Sequence, residues 1–317
     1  MLFSLKPKES RIELFGRDKE LNELHKLVKT EWVIILGRRM TGKTSLLKTF
    51  LNEVNGIYVN LMGVSSIRGL IYELMKSVKK LEIELDLKFI KLSWMKFAED
   101  IFSKLEGKII GLDEVQELPS NYFLRLLKKV WDSYDVRFVM TGSMVGVIRN
   151  LLEPGPLSPM YGRKPAVLKL KPFTAEQSRS FLVKGFSEFN RTIDEREIEE
   201  VVELLNGYPG WLAYYGNYRC VRELNHGDAI EEVYSEGKEI MLNELNRFLE
   251  NKVNRRGYIK LLKSLPARWS ELERSVGVSK KTLRDMIRKL MGAMLIDKIG
   301  ATYVISDPIL RKLVLEL

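Results

Sequence analysis

Cysteine, histidine and glutamine are nearly missing from this chain of 317 residues. The one cysteine, Cys220, excludes an internal disulfide and points to a reducing compartment. Two histidines, His25 and His226, with no neighbouring cysteine, leave nothing from which to build a zinc centre. No apolar run approaches the roughly 18 residues of a membrane-spanning helix. The opening MLFSLKPKES has no apolar stretch of the signal-peptide kind, so a cytoplasmic location and no membrane partner are expected. Glutamine occurs twice, at Gln116 and Gln177, while charged residues make up 30% of the chain; that bias also occurs in thermally robust surfaces with no partner in mind.

What is present is apolar material for real cores, 45% of residues, and a net charge of +10. The charge is uneven. Residues 1–170 carry 28 basic and 20 acidic side chains, residues 171–250 carry 9 and 16, and residues 251–317 carry 15 and 6. The last segment has the charge density of a polyanion-binding module, and the middle one is acidic.

The first half alternates short Val/Ile-rich runs with helical periodicity, which predicts an α/β domain around a mostly parallel sheet. The runs are 32–36 (WVIIL), 57–61 (IYVNL), 108–112 (KIIGL), 136–140 (VRFVM) and 166–170 (AVLKL). Prolines 154, 156 and 159 make 153–165 a loop, and Thr174 is placed to cap a helix that follows. From there to about residue 250 the pattern is helical, with Gly207-Tyr208-Pro209-Gly210 as its strong breaker. The last 67 residues read as three helices and a short hairpin.

Gly37, Arg38, Arg39, Met40, Thr41, Gly42, Lys43 and Thr44 match G-x-x-x-x-G-K-[ST] at every fixed position. A predicted strand enters this run and an apolar-periodic helix, beginning near Ser45, leaves it. Such a turn aims backbone N–H groups inward, and the helix N-terminus adds partial positive charge, so it cradles phosphate. The expected ligand is ATP or ADP: Lys43 would reach the β-phosphate and, in ATP, the γ-phosphate, and the Thr44 hydroxyl would sit on Mg²⁺. About seventy residues on, the run 108–112 ends in Asp113-Glu114. Phosphoryl transfer needs a carboxylate at the metal, here Asp113, and a group that orients water, here Glu114. Thr141-Gly142-Ser143 closes the next strand; Ser143 would sense the γ-phosphate or simply cap a helix. Arg163, in the loop before the last strand, would supply charge to the transition state or lie idle on the surface.

Together with Phe15-Gly16-Arg17, Glu20-Leu21, Asp113-Glu114-Val115-Gln116, Tyr161-Gly162-Arg163, Gly207-Tyr208-Pro209 and Ser306-Asp307-Pro308, these motifs give a chain that resembles the archaeal ATPases of the STAND group. Those are P-loop proteins related to AAA+ ATPases and archaeal replication initiators. The resemblance implies a five-stranded P-loop core over 1–172, a helical lid over 173–250 and a winged helix-turn-helix over 251–317. It implies that Phe15, Gly16 and Arg17 line the adenine side of the pocket. Pro209 would close over the base, and Arg163 would contact the γ-phosphate. Many AAA+ enzymes carry a lid arginine where Gly-Tyr-Pro-Gly-Trp stands here, which favours a slow nucleotide switch over a ring motor.

In the C-terminal segment, Ser279 is a good N-cap, and Leu283, Met286, Ile287 and Leu290 form one apolar face. Lys280, Lys281, Arg284 and Arg288 fall on other faces and would grip DNA phosphate if this is a recognition helix. The same helix would otherwise dock an unidentified protein partner. Three functions are thus in view: an ATPase that acts on a nucleic-acid complex, a non-hydrolysing ADP/ATP switch, and a DNA-binding regulator with a structural nucleotide.

Overall fold

The computed structural model describes residues 1–79, 94–118, 120–142, 146–250 and 252–317. The chain divides into two units. One holds Pro7–Gly37 and Gly42–Leu170, the other Met1–Lys6, Arg38–Thr41 and Lys171–Leu317.

The first unit is an α/β layer structure. Strands β1 (Val33–Gly37), β2 (Ile57–Asn60), β3 (Ile109–Asp113), β4 (Arg137–Gly142) and β5 (Ala166–Leu170) form a parallel sheet in the order β2-β3-β4-β1-β5. The strands follow the apolar runs with small shifts. β1, β3 and β4 begin one residue later, β2 ends at Asn60, and β4 continues to Gly142. Pairing sets these limits, since a residue counts as strand only where a neighbour accepts its ladder bonds. Helices α1 (Asp18–Leu27), α2 (Lys43–Glu53), α3 (Ile67–Lys79), α4 (Trp94–Ser103), α5 (Ser120–Ser133) and α6 (Gly146–Leu152) complete the unit, with a 3-10 turn at Val115–Glu117.

All five residues of β1 are buried, which is why the run is apolar throughout rather than alternating. Helix α2 places Leu46, Leu47, Phe50 and Leu51 into one cluster with Val33, Ile35, Val139 and Leu168. Gly111 of β3 permits this approach: a Cβ there would lie 2.9 Å from Leu47 Cδ1. Because β4 lies between β1 and β3 and all three are parallel, the loop after β1 and the acidic pair after β3 leave the same edge of the sheet.

The second unit is mainly helical. It comprises α7 (Ala175–Ser187), α8 (Glu195–Leu205), α9 (Pro209–Cys220), α10 (His226–Leu249), α11 (Arg255–Lys263), β6 (Ala267–Arg268), α12 (Trp269–Val276), α13 (Lys280–Gly292), β7 (Asp297–Ile299), β8 (Thr302–Val304) and α14 (Pro308–Glu316). The expectation of a single strong breaker between 171 and 250 does not hold. The chain also turns at Asn190 and Glu223, both at positive φ, before the capping residues Asp194 and Asn225. Thr174 caps α7 in a reciprocal box with Gln177. Beyond the expected three helices and hairpin, the last segment gains a two-residue strand, β6, and a final helix, α14, capped by Asp307 with Pro308 at its first position. β6, β8 and β7 pair antiparallel in that order.

Phe3 anchors the N-terminal hexapeptide in this unit, edge-on to Phe181 and Phe186 at 5.7 and 5.6 Å. A Cβ at Gly185 would lie 2.7 Å from its Cε2, so the glycine is what admits the ring. Trp211, Tyr208, Tyr215 and Tyr218 are fully buried, and Trp211 Nε1 donates to Asp307 at 3.1 Å. Phe50→Ala is expected to cost about 3–5 kcal/mol through transfer and cavity terms. Ile12→Ser, at a residue 91% exposed, should stay within about 0.5 kcal/mol of the parent. Urea denaturation followed by circular dichroism measures both.

Candidate functional site

The phosphate-loop match becomes geometry at the edge where β1, β3 and β4 end. Met40 and Gly42 both take positive φ, +62° and +91°, which curls the chain tightly before α2. At Gly42 an added Cβ would meet nothing within 4 Å, so the glycine serves the backbone conformation rather than packing. No side chain caps α2. No side chain therefore competes with a phosphate for the N-terminal end of this helix, where the helix dipole favours an anion. Thr41 Oγ1 donates to Arg38 O at 2.7 Å, and Lys43 Nζ donates to Gly37 O at 2.8 Å, so the lysine lies back along its own loop.

Thr44, the second residue of α2, donates from Oγ1 to Asp113 Oδ2 at 2.9 Å. Asp113 is 3% exposed and ends β3. Its carboxylate also accepts from the Tyr58 hydroxyl at 2.9 Å and from Thr141 Oγ1. Burial, then the charge and hydrogen bond of Asp113, hold the Tyr58 phenol well above its ordinary range. Among the described residues no group of three or more His, Cys, Asp and Glu is arranged around a metal. A magnesium ion here would therefore rest on Thr44, Asp113 and oxygens of its nucleotide. That donor set, one hydroxyl and one carboxylate, suits a hard cation that keeps other oxygen ligands.

Glu114 leaves the strand in a left-handed conformation, φ 61° and ψ 42°. The alternation of a strand therefore does not extend to Glu114, and its left-handed turn costs about 1–2 kcal/mol for a residue with a Cβ. The Glu114 N–H donates to Thr141 Oγ1 at 3.2 Å, and its carboxylate accepts from the Gln116 amide. Gln116 sits over Gly142, where a Cβ would also lie 2.6 Å from Ile148 Cδ1.

A family model described as an ATPase domain predominantly from Archaea matches residues 14–215. The chain belongs to this family. A solved Walker-type ATPase of Pyrococcus abyssi is 29% identical over 99% of both chains, with a TM-score of 0.83. The ORC2 protein of Aeropyrum pernix, solved as ADPNP–ADP complexes, aligns over 99% of this chain and 95% of its own at 13% identity, with a TM-score of 0.66, and shares the fold. An uncharacterized protein of Methanocaldococcus jannaschii is 27% identical over 208 residues, 62% of this chain; the chain spans 42% of that relative's length. No described helix is long and apolar enough to cross a membrane.

The remaining residues expected at the site of this ATPase domain are spread more widely. Arg17 is buried and paired with Glu20 at 2.9 Å; burial pulls its guanidinium below the ordinary arginine range, against Glu20. Gly16 before it takes φ +65°, and Phe15 is half-buried. Ser45 accepts from the Lys8 N–H at 3.1 Å. Arg163 forms a two-pronged pair with Asp132, at 2.8 and 3.0 Å. Ser143 lies outside the described residues. Pro209 opens α9 behind the fully buried Tyr208, and Gly210 N donates to Met40 O at 2.9 Å.

Of the four cations expected to face DNA, Lys280 pairs with Glu273 at 2.9 Å and Arg288 with Asp285 at 2.6 Å. Arg284 lies over the Trp269 ring at 5.9 Å, and Lys281 is exposed. Three residues around Asp113 and Glu114 were given no role from sequence: Tyr58, Thr141 and Gln116, the last two standing in motifs already noted. Thr141 precedes the last residue of β4, in the Thr141-Gly142-Ser143 run that sequence had marked, so its signal was present. Tyr58 needed the strand order, because only the neighbouring of β2 and β3 brings it to Asp113.

In a ¹³C-tyrosine NMR titration, assigned by the loss of one signal in Tyr58→Phe, the Tyr58 phenol should stay protonated beyond the usual range near pH 10. Asp113→Asn should move that titration to lower pH.

Proposed function

We propose that the chain is a magnesium-dependent ATPase of slow turnover that works as a nucleotide-controlled switch. The observation that carries this reading is the Thr44–Asp113 hydrogen bond, which joins the phosphate loop to the acidic strand end. ATP is bound by the N–H groups of the loop and of α2, with Arg38, Arg39, Met40, Thr41 and Ser45 around them and Phe15, Gly16, Arg17 and Pro209 toward the base. Lys43 leaves Gly37 O for the β- and γ-phosphates. Thr44 and Asp113 hold Mg²⁺, whose charge offsets that of the phosphate oxygens. Glu114 orients a water whose oxygen bonds to the γ-phosphorus as the bond to the bridging oxygen breaks, giving ADP and phosphate. Its left-handed backbone and the Gln116 amide hold the carboxylate beside the strand end, and Thr141 links its N–H to Asp113. Ser143 or Thr141 senses the γ-phosphate. Arg163 completes the charge only after exchanging Asp132 for phosphate.

The switch reading takes 1–172 as the nucleotide core, 173–250 as the lid and 251–317 as a winged helix-turn-helix. Support for the last comes from its order of helix, strand, two helices and hairpin around a three-stranded antiparallel sheet. In this reading α13 presents Lys280, Lys281, Arg284 and Arg288 to double-stranded DNA. A second reading, a non-hydrolysing switch whose output is a protein partner, is favoured by one observation. A cavity of about 380 Å³ beside α13 is lined by Trp269, Ile287, Met291 and Tyr303 together with Arg284 and Arg288, a surface more apolar than a phosphate-binding face.

Glu114→Gln is expected to bind ATP at parental affinity while hydrolysis falls at least about a hundredfold, as for a lost general base. Calorimetry and phosphate release measure the two, and parental hydrolysis would remove Glu114 from this role. If α13 binds DNA, Lys281→Glu with Arg284→Glu should lower the slope of log affinity against log salt by about two. Unchanged binding to duplex DNA in fluorescence anisotropy would favour the protein partner.

A further inference from the structure

Three consecutive residues of the phosphate loop are held by the C-terminal part of the chain. Gly210 N, at the start of α9, donates to Met40 O at 2.9 Å. A Cβ on Gly210 would lie 2.8 Å from Met40 Cβ, so the approach depends on glycine. Arg39 pairs with Glu244 of α10 at 3.2 Å. Arg38 forms an ion pair with Asp297, the first residue of β7. Arg38 is 13% exposed at its side chain, whereas Asp297 is 47% exposed and also accepts from Ser306 Oγ.

Arg38 sits in an unusual electrostatic setting for a phosphate-loop residue. Burial pushes the Tyr208 phenol and the Asp307 carboxyl upward, and the Arg38 charge pulls both back down. The carboxylate that pairs with the guanidinium next to Gly37 is that of Asp297 in the hairpin. A polyphosphate arriving at the loop and the Asp297 carboxylate compete for one cation. At close range such charge-assisted contacts are the strong ones, and both cannot be satisfied by the same face of the guanidinium.

We propose that Asp297 is a positioning residue of the nucleotide site: through Arg38 it holds the phosphate loop with the β7–β8 hairpin, and nucleotide binding releases that hairpin. The proposal rests on the nucleotide-site reading above and adds its regulation. By reciprocity, whatever lifts the hairpin from Arg38 tightens nucleotide binding, and nucleotide loosens the hairpin by the same free energy. Glu244 on Arg39 acts in the same sense from within the 24-residue helix α10, whereas Asp297 is the first residue of a three-residue strand.

The test is calorimetric titration of ADP and ATP, with Mg²⁺, into the full chain. Asp297→Asn should bind about tenfold more tightly, within the usual range of allosteric coupling. Asp297→Glu, which keeps the charge, should bind as the parent does. Arg38→Gln should bind more weakly, and adding Asp297→Asn to it should change affinity less than about twofold, because the carboxylate then has no loop arginine to restrain. Hydrogen exchange supplies the second readout: amides of Asp297–Ile299 and Thr302–Val304 should exchange faster when ADP is bound, and as fast in nucleotide-free Asp297→Asn. Parental affinity of Asp297→Asn, or an equal gain in the Arg38→Gln background, overturns the assignment and leaves the nucleotide site standing. A parent that binds neither ADP nor ATP overturns the site reading and this proposal with it.

Discussion

The carboxylate of Asp113 is the point on which the first unit's functional edge is built. It is nearly enclosed, and a bare buried carboxylate would cost several kcal/mol. Thr44, Tyr58 and Thr141 remove that cost by donating to it. Each donor comes from a different element, α2, β2 and β4, so one side chain from β3 ties together four pieces of the sheet edge. Hydrogen bonds to a charged acceptor contribute about 1.5–3 kcal/mol apiece. The same bonds set where the loop helix begins relative to β3, and that spacing is what a phosphate-bound cation requires.

Strain and glycine then finish the edge. Glu114 and Met40 adopt left-handed backbone despite carrying side chains, one after the acidic strand end and the other inside the phosphate loop. Conformations of this kind persist where the surroundings over-determine them. For Glu114 the surroundings are Thr141 and the Gln116 amide, and Gln116 can sit where it does because Gly142 has no Cβ. For Met40 they are the α9 terminus and the bare face of Gly210. Function-bearing residues in both units are thus held by close backbone approaches as much as by side-chain chemistry.

Charge reads differently once contacts are known. The basic excess of 251–317 looked like an uncommitted surface for a polyanion, yet Lys280 and Arg288 each have a carboxylate partner within their own unit. Arg38, counted with the first half of the chain, meets Asp297 far along the sequence. Net charge by segment is a property of composition; the charge available to a ligand depends on which of those groups are already paired.

Residue pattern alone determined the parallel α/β class, the phosphate loop, the Asp113-Glu114 strand end and the capping of α7 and α13. Those are local: a run of β-branched residues, a glycine spacing or a Ser/Thr before a helix acts over a few positions, so the chain declares it without knowing its neighbours. Tertiary structure alone decided that β4 separates β1 from β3, that Tyr58 and Thr141 join Asp113, that Arg163 rests on Asp132, and that Arg38–Thr41 belong to one unit with Lys171–Leu317. It also added β6 and α14, too short or too plainly apolar to announce themselves. These depend on strand order and on pairs of residues up to some 260 positions apart, as Arg38 and Asp297 are. Hydrophobic periodicity carries no record of which partner lies across such a distance, because many partners would bury the same face equally well.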